Sequence, residues 1–109
     1  MKLVNYSHPL SAAAKTRLEE MVGESVEETV IPVQLDLDAP LRPQLDVLVD
    51  ACPRHNGGIL YMPPSLAAAA AYVTARLSYA QSDAMRPEPP RMVVLRRDGI
   101  NGFMPSEIL

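Results

Sequence analysis

Two short stretches of this 109-residue chain carry residue types that could bind an anionic ligand. Each follows an apolar, strand-like run and precedes a helix-like run. The first contains Asn5, Tyr6, Ser7, His8 and Pro9, and the second contains Met62, Pro63, Pro64 and Ser65. Where a strand turns sharply into a helix, the first N–H groups of the helix lack partners and its dipole presents a positive end. Such turns favour phosphate groups, most simply those of a nucleotide.

Neither turn is a known phosphate loop, because the chain contains no GxGxxG and no GxxxxGK[ST] motif. Ser7 and Ser65 could equally be turn or cap residues, and Asn5 could bond a neighbouring loop. His8 is held extended by the proline after it. It could be a solvated loop residue, a ligand contact or a catalytic group.

Acid–base chemistry has little support in these turns. Ser7 and His8 are adjacent, so their side chains diverge in an extended turn and do not form a nucleophile–base pair. No acidic residue occupies either turn in the sequence, which weakens any mechanism of hydrolysis that needs a protein acid or base. The histidines lack Cys or Asp companions at metal-ligand spacing. We therefore expect neither a metal nor another cofactor, and no catalytic residue.

The elements around the turns alternate between strand-like and helix-like apolar periodicity, which predicts an α/β fold with a parallel sheet. Predicted strands cover residues 2–6, 29–35, 58–62 and 91–97, and predicted helices cover residues 11–22, 41–52 and 65–82. Ser11 is the expected N-cap of the first helix and Gly23 its expected C′ residue. The tail, residues 103–109, forms an extra strand or covers an edge.

The predicted order of the strands places both turns beside one crevice. Pro32 cannot donate to a ladder, so the second strand should lie on an edge. In the order 2-1-3-4 the first and third strands are neighbours, and the two turns flank the crevice where open α/β sheets bind ligands. Arg96 and Arg97 end the fourth strand at the same edge. Alternation sends them to opposite faces, so at most one reaches a central ligand, and the pair could simply balance Asp98 in solvent.

Composition limits the classes of function. The apolar fraction of 48% over one domain's length predicts a single core, and the net charge of −3 argues against binding of long nucleic acid. Aromatic residues are too few for a single-strand stacking platform. No run is long enough to span a membrane, and the start does not read as a secretory signal. With a single cysteine, which excludes an internal disulfide, the expected location is the cytoplasm.

Three segments carry a likeness to a known family. They are LVNYSHPLS (residues 3–11), VIPVQLDLDAP (residues 30–40) with its following helix, and GGILYMPPSLAAAAA (residues 57–71). The sequence resembles a small stand-alone family of CRISPR-associated proteins found beside type III systems, with a minimal Rossmann-like fold related to CARF domains. The likeness covers about residues 1–97, its most specific parts are the NxSHPL and PPxLA pieces, and the tail from Asp98 has no counterpart in it.

The resemblance implies a three-layer α/β sandwich, with a mostly parallel sheet of four to five strands and about three helices. It also implies a homodimer, or a higher homo-oligomer, whose sheet edges form a pocket for cyclic oligoadenylate, most simply the tetra-adenylate. Such a protein would sequester this messenger and dampen type III antiviral signalling. The expected ligand contacts are Asn5, Tyr6, Ser7, His8, Pro9, Met62, Pro63, Pro64, Ser65, Arg96 and Arg97.

Three alternatives stay open. A ring nuclease would cut the messenger without a protein nucleophile, by attack of its own 2′-OH on the neighbouring phosphate once the ring is held in line. A flavodoxin-like or phosphocarrier-like module would use His8 as the acceptor. A purely structural α/β domain would use the turns only as turns.

Overall fold

The computed structural model describes residues 1–53, 59–81 and 90–109. Within these ranges the chain forms five strands and three helices. In chain order they are β1 (Lys2–Asn5), α1 (Ala12–Val22), β2 (Glu27–Val30), α2 (Leu41–Asp50), β3 (Leu60–Met62), α3 (Ala67–Gln81), β4 (Arg91–Asp98) and β5 (Gly102–Ile108). None of the helices in these ranges is both long and apolar enough to cross a membrane.

The strands form one sheet in the order β2-β1-β3-β4-β5. The first four are parallel, and β5 is antiparallel to β4. The α/β class, the mostly parallel sheet and the predicted order 2-1-3-4 are confirmed, and the architecture is compatible with a Rossmann-like fold. β2 and β3 lie on opposite sides of β1. The connection from β1 to β2 therefore crosses the sheet in one direction, and the connections that lead to β3 and β4 cross it in the other.

Alternation along the strands divides the core between the two faces of the sheet. Leu3 and Leu60 pack with Leu18 of α1 on one face. Val4 and Tyr61 pack on the other face, against apolar side chains of α2 and α3. The helical residues of this second cluster are Leu45, Leu48, Ala69, Val73 and Leu77. The molecule therefore has three layers, and among the described helices α1 alone covers its side of the sheet.

Both predicted ends of α1 are confirmed. Ser11 is the N-cap, with extended backbone, and its hydroxyl accepts a hydrogen bond from Ala14 N at 3.1 Å. Gly23 takes the left-handed conformation, with φ 77°, and its N–H donates to the Glu19 carbonyl at 2.9 Å. A glycine favours this position because it has no Cβ to clash there. The caps fix where α1 begins, which is at the carboxyl edge of the sheet.

Several predicted boundaries are wrong, and those of the second strand are wrong at both ends. β2 covers Glu27–Val30 rather than residues 29–35, because its partner β1 ends at Asn5, which pairs with Val30. Pro32 consequently lies beyond the strand. α3 begins at Ala67 rather than at residue 65, and α2 ends at Asp50 rather than at residue 52. The predicted start of the third strand at residue 58 and the predicted end of the third helix at residue 82 lie outside the described residues.

The tail forms an extra strand, one of its two expected forms. The turn before β5 is closed by the Asp98 carboxylate, which accepts from Ile100 N at 3.2 Å and from the Asn101 side-chain amide at 3.3 Å. Gly102 then takes a φ of 74°. Further along, Val94 pairs with Glu107 while Leu95 pairs with Pro105, so the residue between them forms a bulge in β5.

Two tyrosines occupy the core on the side of α2 and α3. The Tyr6 hydroxyl donates to the Leu48 carbonyl at 2.8 Å, and the Tyr61 hydroxyl lies 3.0 Å from Thr74 Oγ1. The two rings meet edge to face, with centroids 5.8 Å apart. Burial raises the pKa of Tyr61 to about 12, and burial, with Cys52 and Tyr61 nearby, raises the pKa of Tyr6 still further.

These pKa values predict loss of stability in alkali. The unfolded chain releases each phenolic proton near pH 10, whereas the folded chain holds it to higher pH. The contribution is therefore fully present below pH 10 and is lost as pH rises toward the folded pKa values. We expect the free energy of unfolding to fall by about 1.4 kcal/mol per pH unit for each of the two tyrosines.

Tyr6→Phe should reduce this alkaline slope and, by leaving the Leu48 carbonyl without its donor, cost about 1–2 kcal/mol at neutral pH. Tyr79→Phe is the control, because Tyr79 is exposed. Urea unfolding at a series of pH values would measure both effects. An equal alkaline slope in the wild type and in Tyr6→Phe would contradict the assignment.

Candidate functional site

A cavity of about 590 Å³ opens at the carboxyl edge of the sheet, on the face covered by α1. Its volume lies within the range of small-molecule sites. The residues that line it come from three parts of the fold: the turn from β1 into α1, the end of β3, and the β4–β5 hairpin. They are Ser7, His8, Pro9, Leu10, Ser11, Met62, Leu95, Asn101, Gly102 and Phe103.

Asn5 holds the turn that forms the first wall. Its side chain is completely buried. The amide oxygen accepts from Ser7 N at 2.8 Å, and the amide nitrogen donates to the His8 carbonyl at 2.9 Å and to Glu28 Oε2 at 2.8 Å. Both N–H groups and the oxygen of the Asn5 amide are therefore used within the protein. Asn5 bonds its own turn and β2 rather than a neighbouring loop, and a direct role of this side chain in ligand contact has no support.

Glu28 completes the support of the turn from the neighbouring strand. Its Oε2 also accepts a hydrogen bond from Leu10 N at 3.0 Å. Glu28 pairs in register with Leu3, which places it on the α1 face of the sheet. The turn's own sequence contains no acidic residue, but the Glu28 carboxylate enters the turn from β2.

The expectation that this turn offers its N–H groups to an anion is wrong at four positions. Tyr6 N donates to the Met62 carbonyl at 3.0 Å, and the other three donate to the oxygens of Asn5, Glu28 and Ser11. The four amides are those of Tyr6, Ser7, Leu10 and Ala14. In the part of the chain that the structure describes, the amides of Ala12 and Ala13 have no such partner. Four of the amides that this turn could offer to an anion are therefore already bonded, and those of Ala12 and Ala13 remain at the start of α1.

The structure divides the other predicted contacts between the cavity and its surroundings. Ser7, His8, Pro9 and Met62 line the cavity. The Tyr6 side chain lies in the core on the opposite face, so its predicted contact with a ligand has no support.

The second turn lies at the same edge of the sheet, because Met62 pairs in register with Asn5. Ser65 is exposed there, Pro63 is half-buried and Pro64 is buried, and none of the three lines the cavity. Ser7 and Ser65 therefore share one rim, as predicted, but only Ser7 belongs to the cavity.

Arg96 and Arg97 are exposed and lie outside the cavity lining. By alternation along β4, Arg97 shares the face of Leu95, which lines the cavity, and Arg96 faces the other way. The Asp98 carboxylate bonds the hairpin turn, and no ion pair between it and either arginine occurs among the described residues.

Sequence reasoning missed the contribution of the hairpin. Leu95, Asn101, Gly102 and Phe103 form one wall, and Leu10 and Ser11 extend the other. The turn signals around Asp98 and Asn101 were visible in the sequence. The sequence did not show that β5 pairs antiparallel to β4. This pairing places the turn between them beside the carboxyl edge of the sheet.

The chemistry of the lining is mostly apolar, with a few hydroxyl and amide groups. Among the described residues that line it, His8 is the one with an ionisable side chain. Within the described ranges, no group of three or more His, Cys, Asp or Glu side chains is placed to hold a metal ion. The cavity suits a flat, largely apolar group whose polar substituents reach the rim.

Comparison of the chain with protein-family models, with curated proteins and with solved structures finds no match in any of the three. Function is therefore inferred from the geometry of the cavity and from residues 3–11, 30–40 and 57–71.

The support of the turn by Glu28 can be tested by mutation. Glu28→Ala removes the acceptor of two amide donors, and we expect it to lower the free energy of unfolding by about 2–3 kcal/mol. Glu28→Gln keeps an acceptor oxygen and should cost less. Glu27→Ala is the matched control, since Glu27 is the exposed neighbour in the same strand. Equal losses of stability in Glu28→Ala and Glu27→Ala, measured by urea unfolding, would rule out this role.

Proposed function

We propose that this protein binds a cyclic oligoadenylate, most simply cyclic tetra-adenylate, at the carboxyl edge of its sheet and sequesters it. The observation that carries the proposal is the cavity of about 590 Å³ beside β1 and β3, where the chain reverses direction across the sheet. Open α/β sheets bind ligands at this position. The choice of ligand rests on the sequence resemblance, and residues 7–11 and Met62 of the resembling segments supply one wall and part of the floor.

The base and the phosphates would use different parts of the site. The apolar walls suit an adenine ring, with Ser7 and Ser11 at the rim. The Glu28 carboxylate beneath the turn disfavours a phosphate placed deep in the cavity, since like charges repel. Phosphate would lie at the outer rim, where the amides of Ala12 and Ala13 begin α1 and where His8 is exposed.

The size of the cavity favours an assembly of several copies. A cavity of about 590 Å³ accommodates about one nucleotide, so a ring of four would extend beyond it. Ser65, Arg96 and Arg97 lie near the same edge and would meet the part of the ring that projects. Val30, Leu66 and Ile100 leave exposed apolar surface at this edge as well. These features support a homodimer or a larger homo-oligomer that encloses the ring between carboxyl edges.

Sequestration fits the site better than catalysis does. A protein acid and base would have to face the same phosphate, and among the described residues of the lining His8 alone has an ionisable side chain. The Glu28 oxygen nearest the turn already accepts two hydrogen bonds. The alternative is a ring nuclease that promotes attack of the 2′-OH, and the position of His8 in the cavity wall is the observation in its favour. Either activity would lower the messenger concentration and dampen type III CRISPR signalling.

Recovery of the ligand separates the two functions. Labelled cyclic tetra-adenylate is incubated with excess protein, the complex is isolated, and its nucleotide is run on a denaturing gel. We expect intact ring, as sequestration requires. Linear product, in the complex or released into solution, would establish the nuclease instead, and intact ring with no isolable complex would reject both.

His8→Ala should weaken binding of cyclic tetra-adenylate by about 1–2 kcal/mol, the contribution of a charge-assisted hydrogen bond. Calorimetry measures the change. Lys2→Ala is the control, because Lys2 is an exposed residue at the amino end of β1, on the opposite edge of the sheet. Unchanged affinity in His8→Ala would remove His8 from the site.

A further inference from the structure

We propose that the β4–β5 hairpin recognises the base: Phe103 stacks on its ring, and Asn101 accepts a hydrogen bond from its amino group. The inference rests on the proposed function and assigns it a recognition element. Asn101 and Phe103 lie after Asp98, where the family resemblance has ended, so their part in the site is argued from the structure.

Phe103 is placed as a stacking surface. It is the chain's single phenylalanine, and its side chain is 62% exposed although it lines a cavity. It pairs with Arg97 across the β4–β5 ladder, so a strand rather than a free loop holds it. Pro9, Leu10 and Met62 also line the cavity, from the turn and the sheet. A flat ring entering the cavity would meet the phenyl group and these apolar side chains.

Asn101 is oriented by Asp98. A carboxylate can only accept hydrogen bonds, so the 3.3 Å bond to Asp98 Oδ2 is donated by Asn101 Nδ2. With one Nδ2 hydrogen held by Asp98, the amide oxygen and the second Nδ2 hydrogen of Asn101 remain for a ligand, and we assign the oxygen to the base. The oxygen accepts from a partner that donates, such as an exocyclic amino group. Gly102, in its left-handed conformation, forms the bend between Asn101 and Phe103.

The combined requirement is a planar nitrogenous ring that carries an amino group. Adenine meets it. Hypoxanthine has the same shape but a carbonyl in place of the amino group, so it can stack on Phe103 while losing the bond to Asn101. The two bases therefore test the two contacts separately.

The chain contains no tryptophan, so Phe103→Trp introduces a single fluorescent reporter. We expect cyclic tetra-adenylate and adenosine monophosphate to quench it. Leu109→Trp is the matched control, since Leu109 has a similar exposure of 67% but bonds Met92 near the start of β4, at the other edge of the sheet. Phe103→Ala should weaken binding roughly tenfold, the order of a base–aromatic stack, and Leu109→Ala should not.

The outcomes distinguish this inference from the proposed function. Cyclic tetra-adenylate that binds by calorimetry without quenching the introduced tryptophan would overturn the role of the hairpin and leave the proposed function standing. Quenching by adenosine monophosphate without binding of the cyclic ring would reject the proposed function and leave the role of the hairpin standing. Absence of quenching by both nucleotides, with no binding of the ring, would reject both.

The amino group is tested with cyclic tetra-inosinate. The wild type should bind it several-fold more weakly than cyclic tetra-adenylate, and Asn101→Ala should bind the two alike. Equal affinities in the wild type would overturn the role of Asn101.

Discussion

The site depends on one buried amide and the carboxylate beside it. Asn5 accepts from Ser7 N and donates to the His8 carbonyl, and Glu28 joins Asn5 to Leu10 N from the adjacent strand. An unpaired amide or carboxylate at this depth would be costly, so each group holds the others in place. The path of the chain from β1 to α1 follows from these bonds, and so does the location of the cavity wall.

The same bonds determine which chemistry remains for a ligand. Internal partners use the amides that the strand end would otherwise offer, and a negative charge lies under the turn. What faces the cavity is apolar surface from Leu10, Met62 and Leu95, with hydroxyl groups at its margin. The site is therefore better suited to a base than to a bare phosphate, although it lies where phosphate-binding turns occur in other open sheets.

Sequence patterns predicted the fold better than the site. Periodicity identified each helix, and the caps of α1 were readable at Ser11 and Gly23. The second strand does lie on an edge, although Pro32, from which this was inferred, lies beyond it. Asn5 and Tyr6 were both expected to contact the ligand, although alternation along β1 sends their side chains to opposite faces of the sheet. Glu28 and Phe103 could not be assigned, because strand register and the return of β5 join residues far apart in sequence, and no local preference encodes that pairing.

The two edge strands of the sheet, β2 and β5, are poor templates for a further strand. β2 has only four residues, and Pro32 follows it closely. β5 contains Pro105, which lacks an N–H, next to the bulge. Short, kinked or proline-bearing borders block the backbone pairing by which sheets of separate molecules merge. Copies of this chain should therefore resist open-ended fibre growth, and closed assemblies would have to form through side chains.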